Sequence, residues 1–74
     1  MVEIYLNSKS ESSWIRDFYG PHIPQQNDVI HLYNKSKEKH ESFFVRSVNY
    51  EEITNYVRPG DPKFKIYLVV TRIA

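Results

Sequence analysis

Lys63-Phe64-Lys65-Ile66-Tyr67-Leu68-Val69-Val70-Thr71-Arg72-Ile73 is the stretch on which the reading of this chain turns. Phe64, Ile66, Leu68 and Val70 share one parity, and Lys65, Tyr67, Val69 and Thr71 share the other. Side chains alternate across a strand, so this is a strand with one face on a core. It is rich in β-branched and aromatic residues, and Arg58-Pro59-Gly60-Asp61-Pro62 places a turn just ahead of it. Everything upstream reads as shorter strands that bury their apolar sides by pairing with it.

With 74 residues the chain makes one small domain, 1–74. An apolar content of 41% is ordinary for a folded protein. A core of this size supplies a margin of only about 3–5 kcal/mol. There is no cysteine, which excludes disulfides and thiolate metal sites as further support. Met1-Val2-Glu3-Ile4-Tyr5-Leu6 lacks the basic region and long apolar run of a signal peptide, and no apolar run approaches the ~18 residues of a membrane span. The expectation is a soluble, cytoplasmic protein with no membrane association. Ten basic residues against nine acidic ones leave a net charge of +1, too little to attract a polyanion by itself. The basic excess that exists lies late in the chain, where Arg58, Lys63, Lys65 and Arg72 face Asp61 alone.

Working outward from the last strand, Val2, Ile4 and Leu6 alternate with Glu3, Tyr5 and Asn7 as a first strand. Residues 7–13 are polar and read as a loop. Trp14, Ile15, Phe18 and Tyr19 fit one face of a short helix near residues 13–19, capped by Ser13 and ended by Gly20-Pro21. The all-β character of the remainder points to a strand instead, and the strand is preferred. Gly20-Pro21-His22-Ile23-Pro24 is irregular, because proline lacks an N–H and restricts the residue before it. Residues 25–28 form a turn with Asn27 suited to left-handed geometry, and Val29-Ile30-His31-Leu32-Tyr33 is a third strand. Residues 35–40 are a charged hairpin loop. In the strand over 42–50, Phe43 and Val45 fall out of phase with Val48 and Tyr50; a β-bulge near Arg46-Ser47 returns all four to one face. Residues 51–62 make a long connection holding Ile53, Tyr56 and Val57, with room for a turn of helix. Four to five short, mainly antiparallel strands with a bulge define an all-β fold, a small, partly open, SH3-like barrel.

Ile23-Pro24-Gln25-Gln26-Asn27-Asp28-Val29-Ile30-His31-Leu32 resembles a pattern found in short SH3-like barrel proteins of phages and bacterial mobile elements, apolar-Pro-x-x-Gly-Asp-x-Val-x-Leu. Those proteins follow it with a charged loop, an aromatic-x-Val-x-x-Val strand and a final apolar strand. Phe43-Phe44-Val45-Arg46-Ser47-Val48 and Ile66-Tyr67-Leu68-Val69-Val70 hold those places here, so the resemblance spans residues 23–73. Asn27 stands where the pattern has glycine, and the 14–22 segment is longer than the pattern expects. The resemblance implies a fold far more than a role.

Catalytic patterns are missing: no nucleophile elbow, no Gly-rich phosphate loop and no His-Glu-x-x-His. His22, His31 and His40 stand nine residues apart, which suits neither helix nor strand ligand spacing. The adjacent Glu51 and Glu52 diverge in an extended chain and read as solvated. The expectation is a protein with no enzyme activity, no cofactor and no metal.

Six tyrosines, four phenylalanines and one tryptophan are the distinctive feature. Phe43, Phe64 and Trp14 are expected in the core. Tyr5, Tyr33 and Tyr67 lie opposite the aliphatic faces of their strands, and exposed tyrosines give large contact area at small entropic cost. Tyr5, Tyr67 and Lys65 are therefore expected to form an outward binding patch, since first and last strands of small barrels commonly lie side by side. Two functions fit. One is a protein-interaction module, such as a factor that binds and modulates a host protein, or a homodimer formed through an open edge. The other is a single-strand nucleic-acid binder that stacks bases on Tyr5 and Tyr67 beside Lys63, Lys65 and Arg72.

Overall fold

Alternation predicts strands, and among the described residues the computed structural model shows five of them, joined in one sheet. It describes residues 1–53 and 63–73. The strands are β1 (Val2–Leu6), β2 (Trp14–Phe18), β3 (Val29–Asn34), β4 (Lys39–Glu52) and β5 (Phe64–Arg72). Their spatial order is β2-β1-β5-β4-β3, curled into an open half-barrel. All neighbours are antiparallel except β1 and β5, which run parallel and in register, Val2 against Ile66 through Leu6 against Val70. The last strand is thus the central one. The turn expected over 58–62 and the helical turn within 51–62 fall outside the described residues.

Segment 14–18 is a strand, not a helix. It pairs with β1 as Val2–Phe18, Glu3–Asp17, Ile4–Arg16 and Tyr5–Trp14, with Ile15 as an extra, bulged residue. That bulge reconciles the helix-like pattern with a strand, because it turns both Ile15 and Phe18 toward the core. Glu11–Ser13 forms only a 3-10 turn ahead of it. The second expected bulge is present: Val45 pairs with Val70 and Ser47 with Val69, leaving Arg46 unpaired. Phe43, Val45, Val48 and Tyr50 then share one face, as their apolar character requires. Asn7, Asn27 and Glu38 take left-handed φ values of 68°, 76° and 53°, each in a chain reversal, and asparagine tolerates this best.

The core is the inner face of the sheet. Val2, Ile4, Phe43, Val45, Leu68 and Val70 are buried there, flanked by partly buried Leu6, Ile15, Phe18, Ile23, Ile30, Leu32, Val48 and Ile66. Each fully buried aliphatic or aromatic side chain stabilises by roughly 1.5–3 kcal/mol relative to exposure. Two of the three expected aromatic core residues are not in it. Phe64 has the correct parity but is 53% exposed: β1 begins its pairing only at Ile66, so among the described residues β4 alone, through Glu52, pairs with β5 at that point. Trp14 is 49% exposed on the outer face of an edge strand, where its Nε1 donates to Asp17 at 3.2 Å. Only Phe43 is where the sequence reading put it.

Candidate functional site: the outer face of the central strands

The β1/β5/β4 register builds the outer face. Glu3 and Asn49 flank Tyr67, Asp17 flanks Glu3, and Glu51 lies opposite Lys65. Alternation alone puts these residues on the face away from Ile4 and Leu68. The parallel pairing then brings Tyr5 and Tyr67 together, their ring centroids 6.0 Å apart and the rings at 87°, edge to face. Lys65 extends its Nζ to 3.1 Å from Glu3 Oε1. The three residues singled out from sequence therefore do share one neighbourhood.

Their roles within it differ. Tyr5 is not an outward ring: only 7% of it is exposed. Parity aimed it away from the main core, yet Tyr67 packs against it and Trp14 is its cross-strand partner. Its hydroxyl donates to Glu3 Oε1 at 2.8 Å, which satisfies the buried O–H. Tyr67 is half-buried, and Lys65 is partly covered. The patch as seen by a partner is Tyr67 with a rim of charge, resting on Tyr5.

Lys9 completes this arrangement, and no local pattern pointed to it. The left-handed Asn7 reverses the chain after β1, and Asn7 N donates to Val70 O at 2.8 Å, holding the turn to β5. Lys9 then lies across the sheet, its Nζ 4.8 Å from the Tyr67 ring centroid and 2.8 Å from Glu51 Oε2. A cation over a tyrosine face and a carboxylate beside it orient both groups. The link joins residues 42 apart in sequence, so nothing short of the fold reveals it. Glu3, by contrast, was legible: it alternates with Ile4 on the same face as Tyr5.

Burial, and then the hydrogen bond to Glu3, push the Tyr5 phenol up to about 12. The raised value means that folding favours the neutral phenol. Its contribution to stability is fully present below the ordinary tyrosine value near 10 and is lost as pH rises toward about 12. We expect a phenolate absorbance titration to show one tyrosine ionising distinctly later than the others. Tyr5→Phe should remove that late step. A Tyr5→Phe titration indistinguishable from wild type would show that Tyr5 is not held in this way. For Glu51, the hydrogen bond and charge of Lys9 hold its carboxyl below the usual carboxylate range.

His31 is exposed, with its Nδ1 2.8 Å from Ser42 Oγ. Among the described residues no three histidine or acidic side chains gather as a metal-binding group. No described helix is long and apolar enough to cross a membrane. No protein-family model, curated protein or solved structure matches the chain. The class that fold and site define is a small, half-open β-barrel with a charge-balanced aromatic face.

Proposed function

We propose that this chain is a non-enzymatic protein-interaction module, acting in the cytoplasm as a phage or mobile-element factor that binds and modulates a host protein. The observation that carries the reading is the pairing of cations around Tyr67. Lys9 is held by Glu51 and Lys65 by Glu3, so the lysines beside the aromatic ring already have carboxylate partners. A single-strand nucleic-acid platform needs open positive charge next to its stacking ring. A half-buried tyrosine within a balanced, polar rim matches the centre and border of a protein interface.

The test uses the immobilised full chain and a lysate of its source organism. A specific protein should be retained by the wild type and lost with Tyr67→Ala, because truncating a central interface tyrosine often costs ~2 kcal/mol or more. Equal retention by the variant would remove Tyr67 from the interface. A parallel titration with a single-stranded oligonucleotide separates the two classes. Tight binding that weakens steeply with salt would establish the nucleic-acid reading instead.

A further inference from the structure

The half-barrel has two edges, β2 and β3, which do not pair with each other. Between them lies a cavity of about 410 Å³, lined by Ile15 and Arg16 from β2, and by Leu32, Tyr33 and Phe43 among the residues of the other side. Its floor is apolar: Phe43 is buried, and Ile15 and Leu32 are partly buried against the core. The acidic group in its lining, Glu41, is already engaged. Asn34 donates to it at 2.8 Å, and Arg72 and Lys37 each lie 3.6 Å away. The Asn34 hydrogen bond, then the charges of Arg72 and Lys37, hold its carboxyl below the usual range. Arg16 and Lys35, also in the lining, are exposed and have no carboxylate partner among the described residues. The seam therefore combines an apolar floor with positive charge that no described carboxylate pairs.

Among the described residues no strand pairs with the β3 edge beside it. Val29-Ile30-His31-Leu32-Tyr33-Asn34 holds no proline, lysine or carboxylate, residues commonly used to keep an edge from pairing. Asp28 O accepts from Val45 N at 2.8 Å, so residue 28 faces β4. Alternation then turns Ile30, Leu32 and Asn34 toward β4, and the N–H and C=O of Val29, His31 and Tyr33 toward the open side. Three consecutive outward pairs of backbone groups are enough to template one short strand.

We propose that the seam takes an extended, acidic–apolar segment of a partner protein, which adds to β3 as a sixth strand. Apolar side chains of the segment rest on Ile15, Leu32 and Phe43, and a carboxylate meets Arg16 and Lys35. This deepens the protein-binding reading but uses a surface other than Tyr67, so the two fail independently.

The probe is an acetylated, amidated peptide of alternating valine and glutamate, titrated into the isotope-labelled full chain and followed by amide chemical shifts. Saturable shifts at Val29, His31 and Tyr33 are expected, with none for the valine–lysine counterpart. Arg16→Glu with Lys35→Glu should weaken binding by about tenfold or more, as expected for losing close charge pairs. His31→Pro removes an outward N–H without touching the β3–β4 ladder, a position where edge strands accept proline, and should abolish binding. Should His31→Pro unfold the chain, the charge-reversed pair still decides. Absence of binding, equal binding of the lysine peptide, or shifts confined to the Tyr67 face would overturn the proposal. So would a dimer in sedimentation, without peptide, that leaves the β3 amides occupied by a second copy.

Discussion

Leu68→Asp is expected to leave the chain unfolded at room temperature. Leu68 is fully buried in the central strand, between Ile4 on β1 and Val48 on β4. A carboxylate there has no partner, and burying one costs several kcal/mol even when it takes up a proton instead. That loss equals or exceeds the whole margin of roughly 3–5 kcal/mol that a domain of this size supplies. Ile66→Asp, two residues earlier, should destabilise less. Ile66 is only partly buried and sits where the core ends, opposite Tyr50, which is exposed. Lys65→Asp should be mild, near 1 kcal/mol, since it breaks a surface pair with Glu3 and adds repulsion from Glu3 and Glu51. Thermal unfolding followed by circular dichroism checks all three. Similar melting temperatures for Leu68→Asp and Lys65→Asp would refute the assignment of faces on β5.

The second large effect is Tyr5→Ala, expected to cost about 3 kcal/mol or more. Parity alone makes Tyr5 an outward ring whose loss changes little. The fold makes it a buried one, enclosed against Tyr67 and hydrogen-bonded to Glu3. Truncating a buried aromatic side chain typically costs 3–5 kcal/mol, because the neighbours cannot collapse into the space. Tyr67→Ala should cost clearly less, since that ring is only partly buried and has the Lys9 ammonium over its face. Urea denaturation gives both values directly. If Tyr5→Ala were neutral while Tyr67→Ala unfolded the protein, the order of burial would be reversed. This pair also prepares the binding test: a variant meant to probe the surface must be Tyr67, because Tyr5 would report on stability.

How much of the site was legible follows from the range of each interaction. Alternation correctly grouped Tyr5, Tyr67, Lys65 and Glu3 on one side of their strands, since a period of two needs no partner to be read. Depth was a different matter. Tyr5 became buried through Tyr67 and its neighbours on adjacent strands, and Phe64 was left exposed because β1 does not reach it. Trp14, expected in the core, is not in it. The bulge at Ile15 sends Ile15 inward and leaves Trp14 opposite Tyr5 on the outer face. Lys9 was invisible, because its partner Glu51 lies on a strand that the turn at Asn7 brings near only in the folded sheet.

By itself the sequence determined the all-β character, the bulge at Arg46, the left-handed turn at Asn27 and the inner face of β5. Each rests on local chemistry: a period-two pattern, a phase slip, or a residue tolerant of positive φ. Tertiary structure alone decided that β1 runs parallel to β5 and that, among the described residues, β2 and β3 remain as unpaired edges. It also closed Lys9 and Lys65 onto Glu51 and Glu3 while leaving Arg16 and Lys35 without carboxylate partners among the described residues. Strand order and charge pairing depend on contacts between residues far apart in the chain, and no local preference encodes which distant strand a given strand will meet.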